Sequence, residues 1–383
     1  MSHRARPLAA AYSIPVAGLL LAIGCGPIAP DHQGVLVGLT SGRTLWIAWP
    51  NDTARLVAEH ADLLVPRDDG FWWVGVVDRC TWGEGGGGWV EDSIFVSLAE
   101  AVFVARPGED ARVRLDGMPC EQAEEEVLRE RAKSARAPAD SVAAEEYPVS
   151  NETLYCYRST RQVTYASPSV LSVEARHAST EFCSPAKYYT SGNNIVRRFG
   201  SSERVALRPL LEPGARTALE QHFSDTAGCG YPAEDPGAQI DSSWSIRRHQ
   251  GAWVARLWIE GPIVCRGGQD TEGGEAIPPS FTGEAPLPIP WGELVRQLPN
   301  ALDATASPSG AYLLAQRADS LIILPVAGGR FGAPLGRIHI GYGEELAMIR
   351  WATGEEARQW SATLPTLQPP RVHVVPDSSA ASP

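Results

Sequence analysis

The chain has 383 residues, with 33 lysines and arginines against 45 aspartates and glutamates, and a formal net charge of −12. This acidic balance argues against a nucleic-acid partner, because binding to phosphates needs a basic surface. The length suffices for two or three domains of ordinary size, and the seven cysteines are an odd number, so at least one stands outside any internal disulfide.

The first 24 residues are typical of a secretory signal peptide. Two arginines, Arg4 and Arg6, precede an apolar run from Ile14 to Gly24. This run is too short for a membrane-spanning helix, which needs about 20 residues. The stretch Ala22-Ile23-Gly24-Cys25 resembles a bacterial lipobox, which implies cleavage before Cys25 and a lipid on its sulfur. An ordinary signal peptide followed by an unrelated cysteine is the alternative.

This pattern predicts an exported lipoprotein that is held at a membrane through its lipid anchor. Residues 1–24 would be the signal peptide and residues 25–33 a lipidated tether. Gly26 stands where a retention aspartate could follow the cysteine, so the expected place in a Gram-negative cell is the outer membrane, facing the periplasm.

The remaining cysteines form an even set, which favours disulfides in an exported chain. None of them lies in a C-x-x-C pair, so neither a zinc ribbon nor a thioredoxin-like site is indicated. Several pairings are possible. Sequential pairing is preferred because it closes short loops within successive segments, and it predicts the bonds Cys80–Cys120, Cys156–Cys183 and Cys229–Cys265.

Hydrophobic patterning divides the rest of the chain into further segments. Residues 34–118 contain short apolar runs that are separated by turn signals. They are predicted to form an N-terminal β domain. Residues 119–150 are predicted as a charged helix and a linker, and residues 301–366 as a β segment with a short helix and a hairpin turning near Ala318-Asp319. The Pro/Ser/Ala-rich residues 367–383 are predicted to be a disordered tail.

Residues 151–300 contain three stretches whose order is informative: VTYASPSVLSVEAR, RVALRPLLEPGA and LPIPWGELVRQL. This order resembles the extracytoplasmic domain shared by lysozyme-sensing anti-sigma factors and the non-catalytic part of some peptidoglycan deacetylases. The matching residues are Val170 to Val173, Val205 to Leu211 and Ile289 to Leu294. The resemblance implies an α+β envelope recognition domain. Family members commonly carry a Gly-Gly-Ala-His step where this chain has Cys183, so a ligand role tied to that step does not transfer.

The last of these stretches predicts a helix. Pro290 suits a first helical turn. The apolar residues that follow it have the i, i+3, i+4, i+7 spacing of one helix face: Trp291, Leu294, Val295 and Leu298. The helix is expected to lie on the sheet of its own segment, with Trp291 and Leu294 buried and with Glu293 and Arg296 facing solvent.

The search for chemistry nominates no catalytic residue. The histidines show no H-x-H or H-x-x-x-H spacing, and no G-x-S-x-G elbow is present. No metal site and no cofactor is predicted. A cluster of acids around a histidine such as His177 or His222 would instead favour a hydrolase.

Two aromatic features are candidates for ligand binding. The stretch from Trp82 to Trp89, WGEGGGGW, is predicted as a flexible loop, or as a ligand edge in which Trp82 and Trp89 stack on a sugar and Glu84 accepts a hydroxyl. Trp73 alternates to the face opposite Trp72, so it is a contact residue if that face is solvated and a core residue if a second layer covers it. Four other tryptophans are predicted to be core: Trp46, Trp72, Trp253 and Trp258.

The sequence as a whole predicts an α+β fold that is β-rich, with mixed sheets, a few packed helices and disulfides as staples; a divergent β-propeller is the alternative. The predicted function is a non-catalytic binding or structural role at the cell envelope, with a cell-wall component or an envelope protein as ligand. A cell-wall-acting hydrolase and a propeller-type interaction scaffold are the alternatives.

Overall fold

The computed structural model describes residues 32–85, 93–115, 117–120, 154–181, 194–226, 236–257 and 275–376, together with residues 122, 123, 125, 126 and 129. Within this part, strands far outnumber helices. The fold is α+β and β-rich, with several mixed or antiparallel sheets and few helices, as the sequence predicts.

The first sheet is antiparallel and has the strand order β19 (Leu346–Thr353), β1 (Gln33–Leu39), β2 (Thr44–Trp49) and β3 (Arg55–His60). Every residue of β1 and β2 is buried, which explains their continuous apolar runs. The strand β1 lies between β2 and β19, so that Gln33 faces Trp49 on one side and Thr353 on the other.

The second sheet has six strands in the order β10 (Ile195–Arg198), β9 (Val170–Glu181), β8 (Leu154–Ala166), β6 (Ser93–Ala105), β5 (Gly70–Gly85) and β4 (Leu63–Arg67). All neighbours are antiparallel except β6 and β8, which run parallel and pair Ile94 with Leu154.

Three smaller sheets complete the strands. The third sheet contains β11 (Trp244–His249), β12 (Ala252–Leu257) and β13 (Glu275–Ala276). The fourth contains β14 (Asp303–Ala306), β15 (Tyr312–Arg317), β16 (Ser320–Ala327), β17 (Arg330–Phe331) and β18 (Gly336–His339). The fifth is a parallel pair, β7 (Ala111–Arg114) with β20 (Val372–Val375).

The helices are short and lie between or beside the sheets. The α-helices are α1 (Pro213–Thr226), α2 (Pro236–Ser242), α3 (Pro279–Thr282), α4 (Trp291–Gln297) and α5 (Gly354–Thr363), and 3-10 turns occur at Arg208–Leu210 and Leu364–Thr366. No helix among the described residues has the length and apolar content that a membrane crossing requires.

The sheets extend across the predicted segment boundaries. The strand β6 of the predicted N-terminal domain and β8 of the predicted recognition domain share one sheet, although the 119–150 segment separates them in sequence. In the same way, β19 from the predicted C-terminal segment completes the first sheet. Periodicity identifies strands from the local pattern but carries no information about their distant partners. It therefore suggests separate segments where strands from different segments in fact pair in one sheet.

The tail also differs from its prediction. Residues 372–375 form β20, which pairs in parallel with β7, so Val374 lies opposite Val113. The predicted disordered tail is therefore ordered at least over this strand, and residues 377–383 lie outside the described part of the chain. A short strand beside an existing edge gains backbone hydrogen bonds that composition alone does not reveal.

The described sheets do not resemble the alternative propeller fold. They differ in strand number, and the second sheet contains a parallel pair. A propeller repeats four-stranded sheets around an axis, and neither property fits that repetition.

The disulfide Cys80–Cys120 is present, with a Cα–Cα distance of 4.7 Å, and it is the first of the three predicted bonds. It links β5 to the short segment after β7, where Cys80 also exchanges backbone hydrogen bonds with Met118. The described residues from 120 to 129 have helical backbone, in keeping with the predicted charged helix. Cys25, Cys183, Cys229 and Cys265 lie outside the described residues, so the other two bonds and the lipidation stay predictions.

The predicted helix near Pro290 is present as α4, but it packs on a different sheet. Leu294 is fully buried, in a cluster formed with strands β14, β15 and β16. Arg296 is exposed as expected, whereas Trp291 and Glu293 are half-buried. The helix therefore covers the fourth sheet instead of the sheet of its own segment, because the chain runs directly from α4 into β14.

A buried ion pair ties the third sheet to the second. Arg247 on β11 donates from Nε to Glu174 on β9 at 2.5 Å, and Ser245 donates to the same carboxylate at 2.7 Å. These bonds lower the pKa of Glu174 although burial acts to raise it. Arg247 also reaches Glu345 at 2.8 Å, so one guanidinium connects three sheet regions.

Candidate functional site

A cavity of about 200 Å³ lies where the second, third and fourth sheets approach β19. Its walls include aromatic, aliphatic and acidic side chains, among them Tyr165, Trp253, Glu284, Met348 and Trp351. Because these residues come from β8, β12, the segment after α3 and β19, the cavity exists only when distant parts of the chain have assembled.

Two aromatic rings form one wall of the cavity. Tyr165 and Trp253 are both buried, and their ring centroids are 4.6 Å apart in an edge-to-face arrangement. The Tyr165 hydroxyl donates to the carbonyl oxygen of Thr282 at 3.3 Å. Burial raises the pKa of Tyr165 to about 12, with the Glu284 carboxylate adding to the rise. Tyr165 is therefore a neutral hydrogen-bond donor over the whole physiological pH range.

Three charged side chains are buried beside this wall. The exposed fractions are 2% for Arg248, 7% for Asp303 and 13% for Glu284. Arg248 donates from Nε to Asp303 at 2.7 Å and from Nη1 to Oε2 of Glu284, and its guanidinium lies 4.8 Å from the centre of a Trp253 ring. Strand alternation places Arg248 on the face opposite Arg247, which explains why two adjacent arginines serve separate clusters.

Glu284 has one oxygen without a hydrogen-bond partner among the described residues. Its Oε2 pairs with Arg248, but its buried Oε1 receives no hydrogen bond from them. The Thr305 hydroxyl lies close enough to lower the pKa of Glu284, without the geometry of a direct hydrogen bond. Burial is the larger effect and raises the pKa of this carboxyl. The indole nitrogen of Trp351, another lining residue, is likewise buried without a partner in this part of the chain.

A second cavity, of about 470 Å³, adjoins the first. The two cavities share Trp253, Thr282, Glu284 and Ala285. The second is lined mainly by the proline-rich segment between α3 and α4, including Leu287 and Ile289, and by Trp291. Of the residues that the structure describes, Glu284 is the only acid that lines either cavity, so a single carboxylate stands between an aromatic space and an apolar one.

The cavities contain few groups suited to catalysis. No histidine or cysteine lines either of them as the described residues form them. Among the described residues no group of three or more metal-ligating side chains occurs either. The side chains of His177 and His222 lie outside the described part of the structure. The lining is suited to holding a ligand by aromatic and apolar contact.

The residues predicted as ligand contacts lie elsewhere. Trp73 is 3% exposed and packs edge-to-face against His60 at 5.5 Å, so a second layer covers it and it is a core residue. Trp82 and Glu84 belong to the end of β5 by their backbone, but their side chains lie outside the described structure, as Trp89 does entirely.

Sequence patterns reveal little of the cavity, for physical reasons. Trp253 is predicted as core and is indeed buried, at 4% exposed. Glu284 lies in a proline-rich segment without periodicity. The adjacent arginines Arg247 and Arg248 within the strand pattern are the available signal, because charged side chains in a buried strand need buried partners.

Comparison with known proteins adds no assignment. No protein-family model matches the chain, and no curated protein matches it. Among solved structures, the chain is similar to a "putative 6-phosphogluconolactonase" from Bacteroides uniformis, with 10% sequence identity and with 84% of this chain and 100% of the other covered. The TM-score is 0.22, which is too low to support an argument about fold or function.

Proposed function

We propose that this chain is an exported, lipid-anchored envelope protein with a non-catalytic binding role, and that its ligand is a cell-wall component or another envelope protein. The basic and apolar start that ends in Ala22-Ile23-Gly24-Cys25 supports export and lipidation. The disulfide Cys80–Cys120 also supports export, because disulfides persist in oxidising compartments.

The observation that carries the binding role is the cavity around Tyr165, Trp253 and Glu284. Concave sites with aromatic walls and a small number of polar groups are typical of ligand binding. A hydrolase with a nucleophile would need a base beside it, and a glycosidase normally needs two carboxylates. Within the described ranges, the two cavities offer one carboxylate and no histidine, which favours binding over hydrolysis at this place in the fold.

The anchor is tested by metabolic labelling with palmitate and by cell fractionation. Wild-type protein is expected to carry label and to sediment with membranes, because acyl chains hold it there. Cys25→Ser is expected to lose the label and to accumulate as precursor or soluble protein. Ser13→Ala, which changes the same region but keeps the cysteine, is the control. Unlabelled wild-type protein would refute lipidation.

The binding role is tested by filling the cavity. Ala285 lines both cavities, so Ala285→Trp is expected to block them, whereas Ala327→Trp adds the same side chain at an exposed position on β16. Co-sedimentation with purified peptidoglycan and crosslinking to envelope proteins are measured for both variants and the wild type. Capture should be lost only in Ala285→Trp. Equal capture by all three proteins, or capture by none, contradicts a ligand in this cavity.

A further inference from the structure

Within the described part of the chain, strand β19 has a hydrogen-bonded neighbour on one side only. Just beyond it, the backbone nitrogen of Gly354 donates to the carbonyl oxygen of His32 at 2.8 Å, so these residues form a hydrogen-bonded pair in register with β1. Such pairs alternate along an antiparallel ladder, so Arg350 bonds to β1 while the backbone groups of Ile349 and Trp351 point away from it. Among the described residues, these outward N–H and C=O groups have no hydrogen-bond partner.

The cavity of about 200 Å³ lies against this free edge. Its lining contains four consecutive residues of β19, from Met348 to Trp351. Successive side chains of a strand point to opposite faces, so a cavity over one face would be lined by every second residue. Lining by all four residues places the cavity along the backbone edge itself. Because buried backbone groups are nearly always paired, this space is where the outward groups meet water or a ligand.

The cavity is the middle part of a longer cleft. On one side it continues into a third cavity, of about 680 Å³, with which it shares Pro66, Pro168 and Arg350. On the other side it adjoins the proline-rich cavity through Trp253. The free edge is flanked by walls that include Pro168 and Pro308, so it suits a single extended chain better than the edge of a second folded sheet.

The free edge favours a peptide over a glycan. The N–H and C=O groups along a strand edge are matched by the same groups of another extended peptide, which is the basis of recognition by strand addition. The rings of Tyr165 and Trp253 are 2% and 4% exposed, so they offer little free face on which a sugar would stack. Backbone pairing is therefore the main interaction that this cleft offers.

Arg350 gives the cleft a charge preference at one position. Its side chain is exposed where the first and third cavities meet, and it forms no ion pair with the described residues. Residues opposite each other on neighbouring strands point to the same face, so the ligand residue opposite Arg350 lies beside the guanidinium. The third cavity is also lined by exposed acids, whose charges solvent screens: Asp68, Asp69 and Glu356.

We propose that the free edge of β19 binds an extended segment of another envelope protein as an additional strand, with an acidic residue of that segment opposite Arg350. This inference rests on the proposed binding function and selects a protein, instead of a cell-wall glycan, as the ligand. The outward backbone groups of Ile349 and Trp351 supply the hydrogen bonds, and Arg350 supplies the preference for an acid.

The probe is the acetylated and amidated peptide Thr-Val-Glu-Val-Thr. Its charge-reversed form is Thr-Val-Lys-Val-Thr, and the tetramer of N-acetylglucosamine is the glycan comparison. Competition with a fluorescent form of the first peptide is measured by anisotropy on the full-length protein. The wild type is expected to bind the glutamate peptide at least about threefold more tightly than the lysine peptide, since contacts between exposed charges are individually weak. The glycan should not compete.

Methylation of peptide nitrogens tests the strand pairing itself. In antiparallel pairing the two valines of the probe bond to β19, whereas in parallel pairing the glutamate does. Methylation at the valine nitrogens or at the glutamate nitrogen should therefore abolish binding, and the other modification should leave it intact. Binding that survives both modifications, or is lost with both, overturns the pairing with β19.

A charge reversal in the protein assigns the acidic preference to one side chain. Arg350→Glu is expected to bind the lysine peptide more tightly than the glutamate peptide. Arg337→Glu, at a side chain that is 48% exposed on β18, should keep the preference of the wild type. If the wild type itself does not prefer the glutamate peptide, the inference is overturned, and this result does not depend on the folding of any variant.

The outcome is also distinguishable from failure of the proposed function. If no peptide binds, or the glycan binds instead, but Ala285→Trp still abolishes capture of envelope material, the peptide inference is wrong and the binding role stands. If no probe binds and capture does not depend on the cavity, both fall.

Discussion

The two carboxylate oxygens of Glu284 differ in their surroundings. It is ion-paired through one oxygen, and its other oxygen is buried without a partner among the described residues. Leaving a buried acceptor unsatisfied costs about 1–3 kcal/mol, and more when the group is charged. The folded state is therefore less stable when Glu284 is ionised than when it carries a proton.

This state of Glu284 predicts an unusual pH dependence of stability. Its pKa is raised above its ordinary value of 4.5 in the folded state, so the folded state binds the proton more tightly than the unfolded state does. The contribution to the unfolding free energy is therefore most favourable below pH 4.5 and is lost as the pH rises through the folded pKa. Urea unfolding of the wild type and of Glu284→Gln over this range measures the difference.

The difference between the two curves isolates Glu284, because Asp62 and Glu100, whose pKa values are also raised by burial, are present in both proteins. Glu355→Gln serves as the exposed control and should leave the slope unchanged. Parallel curves for the wild type and Glu284→Gln would show that this carboxyl is not the strained group.

At the scale of single elements, α4 shows how a short helix can stabilise two regions at once. Its Leu294 packs into the cluster on the fourth sheet, while Trp291 lines the second cavity. The helix has only two turns, and short helices are marginal by themselves, so tertiary packing supplies its stability. Loss of the buried Leu294 side chain is therefore expected to lower the stability of the fourth sheet as well as of the helix.

Leu294→Ala is expected to lower the unfolding free energy by about 2–5 kcal/mol, because it leaves a cavity in a core that cannot fully collapse. Arg296→Ala removes a side chain that is 74% exposed in the same helix and should change the unfolding free energy by less than about 0.5 kcal/mol. Denaturant unfolding measures both. Similar values for the two substitutions would argue against the packing of α4 on the fourth sheet.

Strands, helices and turns are largely predictable from the sequence, whereas the surfaces against which they pack are not. The predicted N-terminal β segment does contain strands, and the predicted hairpin turns at Ala318-Asp319, with Arg317 facing Ser320. These features depend on local alternation and turn chemistry. The sheet on which α4 packs and the layer that covers Trp73 depend on long-range contacts, and an apolar stripe does not specify which surface will cover it.

At the scale of the whole molecule, the first sheet requires both ends of the described chain. Without β19, strand β1 would become an exposed edge and its apolar residues, such as Val35 and Val37, would lose a covering neighbour. Strand β19 also contains Met348 and Trp351, which line the cavity around Tyr165. The architecture therefore couples closure of the first sheet to formation of the candidate site.

A chain that ends at residue 345 is expected to lose cooperative unfolding, because it lacks β19 and α5. A chain that ends at residue 376 keeps both, together with β20, and is the matched control. Thermal unfolding followed by near-ultraviolet circular dichroism measures the effect. Cooperative unfolding of the shorter chain would mean that the sheets fold as independent units.

The pairing of β1 with β19 also has a consequence for the order in which the protein is made. The partner of Gln33 is Thr353, so translation at about 5–20 residues per second separates the two strands by roughly 15–60 seconds. During that interval the backbone N–H and C=O groups on one side of β1 have no native partner, and an open edge of apolar residues is a template for wrong pairing. The growing polypeptide, more than the finished protein, is therefore the species that needs protection from aggregation.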